Sequence, residues 1–218
     1  MADELKGAYP QATLELLLQS GAILQDDHFV YISGDHGSGW IDKDAIYPHT
    51  ERVEGLSRRL AGLFRDRGIE AACGPATGGM IVAEWTAHEL GALAVFTEHD
   101  TPRPGEMRGR FVLRRGYDHV IAGKRVLVVD DIVNTGHSIR QTIEAVRGAS
   151  GSVVAAAALI NRGNVGASAL DVEEFVYLLE YKIPAWPAAA CPLCEAGMPI
   201  NTQYAHGKEF LAAKSSPT

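Results

Sequence analysis

Two adjacent carboxylates, Asp130 and Asp131, follow four branched apolar residues at positions 126–129. Such a run is typical of a strand buried on both faces of a parallel sheet, and the carboxylates stand where that strand should end. The polar loop 134–138 comes next and leads into apolar residues at helical spacing. A loop before a helix presents backbone N–H groups to an anion, and open α/β sheets bind ligands at the carboxyl ends of strands. The sequence therefore predicts a phosphate on the loop and hydroxyls or a hydrated metal ion on the carboxylates.

The stretch 126–138, VLVVDDIVNTGHS, resembles the phosphoribosyl-pyrophosphate (PRPP) motif of the type I phosphoribosyltransferases over all thirteen positions. The alternative is an ordinary strand–loop–helix unit with a hydroxyl-capped helix, which explains Ser138 but not two adjacent acids. The resemblance implies that Asp130 and Asp131 bind the ribose hydroxyls of PRPP and, through water, Mg²⁺. It also implies a set of PRPP-binding residues in the loop, namely Asn134, Thr135, Gly136, His137 and Ser138.

A second candidate anion loop, GPATGG at positions 74–79, lies between a predicted strand and a predicted helix. Its glycines let backbone N–H groups converge on an anion, although a Gly-rich turn alone is equally consistent with a simple tight turn. In the family this place holds the pyrophosphate-binding loop, which implies contacts from Ala76, Thr77, Gly78 and Gly79. Many bacterial orotate phosphoribosyltransferases have Lys where this chain has Gly78. Contacts here would therefore come from the backbone and from Thr77.

The segment 33–42 is similar to a Ser-Gly-x-His-Ser…Tyr-x-Asp segment of the orotate enzymes, which helps to form a hood over the base. The resemblance implies base-binding roles for four residues, Ser33, Gly34, His36 and Trp40. Gly37 and Trp40 depart from the usual Ser and Tyr. The glycine content predicts irregular structure, and a flexible surface loop is the alternative.

Arg162 follows a predicted buried strand, where an Arg of the orotate enzymes contacts the base's carboxylate. Asn161 stands where those enzymes usually have Asp. The resemblance therefore implies that Arg162 binds the base, while the Asn leaves the identity of the base open.

The polar segment 97–110 contains two Pro and two Gly, and its length predicts a lid or a disordered segment. The family has a mobile loop here, usually rich in Lys and His, but this chain has no Lys between Thr97 and Tyr117. Arg108 and Arg110 are the predicted catalytic cations. The alternative is a solvated hairpin.

The C-terminal region contains Cys191 and Cys194 as a Cys-x-x-Cys pair, and His206 follows twelve residues later. A structural zinc site needs four ligands, and the remaining Cys73 lies beside the candidate pyrophosphate loop. The pair could be a structural turn, a metal site or a redox pair, and the sequence leaves all three readings open.

Helical and strand patterns alternate along the chain, which predicts an α/β fold. Helices are expected at 10–20, 50–67 and 80–90, and a fourth after the polar loop 134–138, ending at Gly148. Strands are expected at 29–32, 69–73, 92–96, 126–129, 152–159 and 174–181. The resemblance implies a twisted parallel sheet with helices on both faces and a small hood. The expected organisation is an N-terminal hood segment (1–45), a phosphoribosyltransferase core (46–182) and a C-terminal tail (183–218) that packs on the hood or core.

The composition is that of a globular protein, with 46% hydrophobic and 22% charged residues in 218. A net charge of −7 argues against nucleic-acid binding. The sequence has neither a membrane-length apolar run nor a signal-peptide pattern at its start. Three cysteines are too few for a disulfide scaffold. These features together predict a cytoplasmic protein.

The resemblance implies transfer of the phosphoribosyl group from Mg²⁺-PRPP to orotate, with release of pyrophosphate. It also implies a homodimer in which one subunit's lid reaches the other's site. Three alternatives remain. The chain could be a phosphoribosyltransferase for another base, a regulator that binds PRPP without catalysing a reaction, or a non-catalytic interaction protein whose tail is held by a zinc ion.

Overall fold

The computed structural model describes residues 6–102 and 109–215. The helices of this part are α1 (Pro10–Gln19), α2 (Thr50–Gly62), α3 (Gly78–Leu90), α4 (Tyr117–Ile121), α5 (His137–Gly148), α6 (Pro192–Glu195) and α7 (Gly207–Ser215). The strands are β1 (Ile23–Val30), β2 (His36–Ile41), β3 (Ala71–Pro75), β4 (Leu93–His99), β5 (Phe111–Leu113), β6 (Arg125–Val133), β7 (Ser152–Asn161), β8 (Phe175–Glu180) and β9 (Ala185–Trp186).

The chain divides into two compact units. Unit 1 consists of Met1–Leu14 and His49–Tyr181, and unit 2 of Glu15–Pro48 and Lys182–Thr218. Residues 6–9 lie on the edge of unit 1, because Ala8 and Tyr9 donate backbone hydrogen bonds to β8 and Lys6 accepts one from it. The first described residues of the predicted hood segment 1–45 therefore pair with the core sheet. The remaining outline of that segment stays a prediction.

Unit 1 is built on a six-stranded sheet in the order β5-β4-β3-β6-β7-β8. Five of these strands are parallel neighbours, and β5 pairs antiparallel with β4 at one edge. The predicted parallel α/β sheet is confirmed, and β5 is the return strand of the 97–110 hairpin. The central strand is β6, so the acidic pair lies at the middle of the sheet.

Apolar residues are buried on both faces of this sheet. Val126 and Val128 of β6 belong to one core cluster with Ile139, Ile143 and Val146 of α5. The alternate residues of β6 point to the opposite face, where α3 contacts β3, β4 and β6 and α2 packs on α3. Burial on both faces explains why the strand reads as a continuous apolar run.

Unit 2 contains a three-stranded antiparallel sheet in the order β1-β2-β9. The prediction of irregular structure for residues 33–42 was wrong, because most of this segment is β2. A Cβ at Gly37 would collide with the ring of Tyr31, whose hydroxyl donates to the carbonyl of Gly39 at 2.7 Å. Glycine there makes room for the aromatic side chain. The short strand β9 also follows β8, which the sequence had predicted to be the last strand.

The second helix is shorter than predicted. It ends at Gly62, and the last residues of the predicted helix form a separate 3₁₀ turn at Arg65–Arg67. The backbone N–H of Phe64 bonds to the carbonyl of Ala61, so the chain tightens there, and the Phe64 ring is fully buried. Among the described helices, none is both long enough and apolar enough to cross a membrane.

Candidate active site

The acidic pair lies at the carboxyl end of β6. Asp130 and Asp131 are each 6% exposed. Oδ1 of Asp130 accepts the backbone N–H of Asp131 at 2.9 Å, and Oδ1 of Asp131 accepts that of Ile132 at 2.6 Å. Because these bonds join each side chain to the following residue, the strand end itself fixes the orientation of both carboxylates.

The candidate pyrophosphate loop lies against Asp130. This loop joins β3 to the first turn of α3, and the backbone N–H of Ala76 bonds to the carbonyl of Thr97 on β4 at 2.8 Å. The peptide bond between Ala76 and Thr77 is cis. A Cβ at Gly79 would lie 2.9 Å from Oδ1 of Asp130, so the absence of a side chain lets the carboxylate approach the helix start. The structure thus brings together two segments that lie about 50 residues apart in the sequence.

The phosphate loop follows β6 and ends in the first turn of α5. A small cavity of about 100 Å³ is lined by Asp130 and residues 132–139. Gly136 has φ +76°, which favours glycine, and a Cβ there would meet Leu170 Cδ2 at 2.8 Å. Backbone N–H groups of the first turn of α5 lack intrahelical partners, which suits an anion in this cavity. A glycine at this position therefore also makes room for Leu170.

The chain after β7 returns to the same edge of the sheet. The backbone N–H of Arg162 donates to the carbonyl of Val133 at 2.8 Å. A Cβ at Gly163 would collide with the carbonyl of Asn134, so the two loops touch. The backbone of Arg162 thus lies beside the phosphate loop, at the sheet edge that carries Asp130. The role of its guanidinium in base binding stays a prediction.

Asn161 has a structural reason to differ from the Asp of the orotate enzymes. The residue is 1% exposed. Its Nδ2 donates to the carbonyl of Val165 at 2.9 Å, and its Oδ1 accepts the N–H of Val165 at 3.0 Å. A carboxylate could accept from this N–H but could not donate to the carbonyl. Asn161 therefore closes the loop that follows β7.

The predicted lid arginines are only partly within the described residues. Arg108 lies outside them. Arg110 is exposed, and its guanidinium lies 3.5 Å from a carboxylate oxygen of Glu144 on α5. Arg114 pairs with Asp100, and Arg115 pairs with Glu98 at 3.0 Å. In this structure the described arginines of the hairpin are thus held by acidic side chains, and the catalytic role of Arg108 and Arg110 stays a prediction.

The predicted base-binding segment belongs to unit 2. The hydroxyl of Ser33 donates to Asp35 in the exposed turn that contains Gly34, and Trp40 stacks on Tyr31 with ring centroids 6.2 Å apart. His36 differs from the prediction. Its imidazole is completely buried and lies 2.8 Å from His28 and 3.4 Å from Cys194. We therefore reassign the His36 side chain to a His/Cys cluster within unit 2.

The sequence reasoning missed His28, which belongs to this cluster and lies on β1. Its only signal was its position eight residues before His36, more than 150 residues from the Cys-x-x-Cys pair. Cys73, the remaining cysteine, is buried in β3 of unit 1, and burial raises its pKa to about 12. That thiol is an inert core side chain at neutral pH.

The acidic pair fits a magnesium ion that arrives with its ligand. Among the described residues, the group of three or more His, Cys, Asp or Glu side chains able to share an ion lies in unit 2. Asp130 and Asp131 thus offer two carboxylates and no complete cage. Mg²⁺ commonly keeps several waters and binds through one or two carboxylates plus substrate oxygens.

Comparison with known sequences gives a consistent result. A model of the phosphoribosyl transferase domain matches residues 42–188. An orotate phosphoribosyltransferase of Thermus thermophilus is 35% identical over 188 residues, which covers 86% of this chain and 97% of that protein. An orotate phosphoribosyltransferase of Pelotomaculum thermopropionicum is 36% identical over 181 residues, covering 83% of this chain and 90% of that protein.

Solved structures share the fold. The orotate phosphoribosyltransferase from Aeropyrum pernix has a TM-score of 0.54 at 26% identity, covering 77% of this chain and 93% of that one. The adenine phosphoribosyltransferase from Thermoanaerobacter pseudethanolicus has a TM-score of 0.59 at 20% identity, covering 77% of this chain and 99% of that one. The second likeness shows the fold alone.

Proposed function

The chain belongs to the phosphoribosyltransferase family, and from that premise we propose that it transfers the phosphoribosyl group of PRPP to orotate. The products are orotidine 5′-monophosphate and pyrophosphate. Two kinds of support converge on this function. The curated relatives reported above are orotate phosphoribosyltransferases and align with most of the chain. The acidic pair and the two candidate anion loops lie next to one another at one edge of the unit 1 sheet.

One observation carries the proposal. Asp130 lies between the two candidate phosphate loops, since it lines the cavity of loop 134–138 and a Cβ at Gly79 of loop 74–79 would lie 2.9 Å from its Oδ1. PRPP has a phosphate at one end and a pyrophosphate at the other, with the ribose between them. A carboxylate between two anion loops therefore matches the order of groups along PRPP.

The charges of the reaction suit these positions. Breaking the bond from ribose C1 to pyrophosphate develops positive character on the sugar, as in glycoside cleavage. Asp130 and Asp131 bind the ribose hydroxyls and lie near that developing charge. The leaving pyrophosphate gains negative charge, which the backbone N–H groups of residues 77–79 and the hydroxyl of Thr77 stabilise. Residues 134–138 hold the 5′-phosphate in place during the transfer.

Magnesium belongs to the proposal as part of the PRPP complex. Bound Mg²⁺ would supply neutralisation of the leaving pyrophosphate's charge. Asp130 and Asp131 would hold it through water and through the ribose hydroxyls. The cations of the 97–110 segment, Arg108 and Arg110, would approach the pyrophosphate when that segment closes. The guanidinium of Arg110 would then leave its ion pair with Glu144 and bind the pyrophosphate instead.

Orotate is the proposed acceptor because it carries a carboxylate. A guanidinium pairs with a carboxylate through two parallel hydrogen bonds, and Arg162 starts at the correct sheet edge for this role. The proposal assigns cover of the ring to the backbone of Ser33 and Gly34 and to Trp40, as part of a hood made from residues 1–45 and 183–218. We further propose a cytoplasmic homodimer, and sedimentation equilibrium tests the dimer.

A phosphoribosyltransferase for a different base is the second candidate. The absence of Lys from the 97–117 segment and Asn161 in place of the usual Asp leave this alternative open. The test is a panel of bases, namely orotate, uracil, adenine, hypoxanthine and guanine, each supplied with PRPP and Mg²⁺ and followed by pyrophosphate release. The proposal expects orotate to have the highest kcat/KM. A purine or uracil in first place would contradict orotate as the substrate and leave the family unaffected.

A further inference from the structure

A second cluster of chemically reactive side chains lies entirely within unit 2, apart from the active site described above. It contains His28 on β1, His36 on β2, Cys191 just before α6 and Cys194 within α6. One ligand atom from each residue lies within 4.8 Å of all the others. Both imidazoles and Cys191 are buried, whereas Cys194 is exposed. The chain therefore brings two sulfurs and two nitrogens together from its two ends.

Three N–S distances in the cluster are close to those between the ligands of a tetrahedral zinc ion. With Zn–S of about 2.3 Å and Zn–N of about 2.0–2.1 Å, a regular tetrahedron places N and S ligands roughly 3.5 Å apart and two N ligands roughly 3.3 Å apart. The N–S distances are 3.6 Å and 3.8 Å from His28 Nε2 to Cys191 and Cys194, and 3.4 Å from His36 Nδ1 to Cys194. The N–N distance, 2.8 Å from His28 to His36, is shorter, so the imidazoles would move slightly apart around an ion.

Hydrogen bonding alone does not account for the arrangement. His28 Nδ1 lies 2.9 Å from the carbonyl of Met198, which can only accept, so Nδ1 carries the proton. In the neutral ring, Nε2 then has one lone pair. Three groups converge on this lone pair, from His36, Cys191 and Cys194. One lone pair cannot serve three donors well, whereas a single cation is shared by all four groups.

The contact to Met198 is also what a metal-bound histidine needs. Ligating histidines commonly donate their other N–H to a carbonyl, which fixes the tautomer and orients the ring. Met198 follows the Cys-x-x-Cys pair by four residues, and its own N–H bonds to the carbonyl of Leu193. The segment that supplies both sulfurs therefore also orients one of the nitrogen ligands.

We propose that His28, His36, Cys191 and Cys194 bind one Zn²⁺ ion as a structural site. Two thiolates and two imidazoles suit zinc and do not suit Mg²⁺ or Ca²⁺, which take oxygen ligands. Four protein ligands leave no open position, so the site is structural rather than catalytic. It stands independently of the proposed transferase reaction, because it uses none of the residues of the unit 1 site.

The ion would fasten the C-terminal tail to the β1–β2 hairpin. His28 and Cys191 are 163 residues apart, so the site closes a very long loop. Two backbone bonds already join the same segments, from Asn201 to His28 at 2.8 Å and from His206 to Val30 at 2.9 Å. Small units with limited cores often depend on a metal for stability. Removing the ion should therefore expose the tail, residues 183–218, to proteolysis before unit 1 unfolds.

The test begins with the zinc content of the purified full-length chain, measured by plasma mass spectrometry after gel filtration in reducing buffer. The expected result is about one zinc per chain in the parent, falling below about a tenth in Cys191→Ser and in His28→Ala. Two matched controls keep their zinc: Cys73→Ala removes a thiol outside the cluster, and His206→Gln removes a nearby tail histidine. A parent without zinc, or variants with unchanged zinc, would overturn the proposal.

A second measurement covers the case in which a ligand variant does not fold. The parent, stripped of zinc and reloaded with Co²⁺, should show the visible bands of a tetrahedral ion with sulfur-to-cobalt charge transfer. A chelator should release the ion and make the thiols of Cys191 and Cys194 reactive. Proteolysis of the tail should also become faster. A cobalt spectrum without sulfur bands would overturn the site. So would a Cys191–Cys194 disulfide in parent protein purified without reductant and retaining no zinc.

Discussion

The carboxylates of Asp130 and Asp131 are fixed by the backbone of their own strand. Each Oδ1 accepts an N–H from the next residue, and a Cβ at Gly79, the second residue of α3, would lie 2.9 Å from Oδ1 of Asp130. The two acids are thus positioned before any ligand binds, and positioning of this kind lowers the cost of binding the transition state. Exchange of the carboxylates for amides therefore tests chemistry more than folding.

We expect Asp130→Asn/Asp131→Asn to lose turnover while keeping its fold. The amide oxygen of Asn can still accept the two backbone N–H bonds, but the charge that faces the ribose is lost. With each charge-assisted hydrogen bond worth roughly 1.5–3 kcal/mol, kcat/KM for PRPP should fall by at least about a hundredfold. Steady-state kinetics and a thermal melt measure the two effects. Activity within a few-fold of the parent would remove the acidic pair from the mechanism.

Arg162 is the proposed partner of the base's carboxylate. Lys would keep the charge but not the paired geometry, so Arg162→Lys should raise KM for orotate about ten- to a hundredfold. KM for PRPP should stay within a few-fold, because the proposal assigns its phosphate to residues 134–138. The control is Arg140→Lys, an exposed arginine of α5 that lies 4.0 Å from Glu144. An equal rise for PRPP and orotate would indicate a general disturbance of the sheet edge instead.

At the scale of elements, the order of strand, loop and helix around the acidic pair was predicted correctly because each has a strong local signal. The boundaries differ, since β6 continues past the acids to Val133 and α5 begins inside the predicted loop, at His137. The continuous apolar run indicated a buried strand, and Ile139, Ile143 and Val146 indicated one face of a helix. The sequence analysis missed strand β2, because the contacts that explain its glycines come from other segments of the chain. Its glycines accommodate the ring of Tyr31 and the β1 backbone, and neighbours of that kind cannot be read from the segment itself.

The loop before α5 should respond to loss of a hydroxyl. Ser138 lines the phosphate cavity, so Ser138→Ala should weaken PRPP binding about tenfold or more by calorimetry, given roughly 1.5–3 kcal/mol for a hydrogen bond to a charged group. Ser152→Ala at the exposed start of β7 is the control. Gly136→Val is a less specific test, because the new side chain would also strike Leu170 and Val165. Unchanged PRPP affinity in Ser138→Ala would count against the phosphate assignment.

The loop after β7 should depend on the amide of Asn161. Asn161→Asp places a carboxylate beside the carbonyl of Val165 and removes the bond that Nδ2 donates to it. For a buried group this should cost about 1–3 kcal/mol of unfolding free energy, as measured by urea denaturation. Asn164→Asp, at an exposed position of the same loop, should cost much less. If both variants are equally stable, the Asn161 side chain does not close the loop.

At the scale of the whole molecule, the two units were harder to foresee than the sheet. The sequence motifs of the unit 1 site are short and continuous, so their order along the chain already matched that of PRPP. The His/Cys cluster joins β1 and β2 to a tail more than 150 residues away. Its four ligands follow no single spacing, so the sequence indicated two cysteines and could not supply their partners. Long-range pairing of this kind needs the fold.

The central claim is that the unit 1 site joins PRPP to orotate with the help of magnesium. The most direct measurement follows orotidine 5′-monophosphate and pyrophosphate together, from orotate and PRPP, in buffer with and without added Mg²⁺. Omission of Mg²⁺ is used instead of a chelator so that the unit 2 cluster is left undisturbed. We predict equal amounts of both products and at least about a hundredfold loss of rate without Mg²⁺. PRPP binding without any orotate-dependent product, at saturating Mg²⁺, would contradict the account.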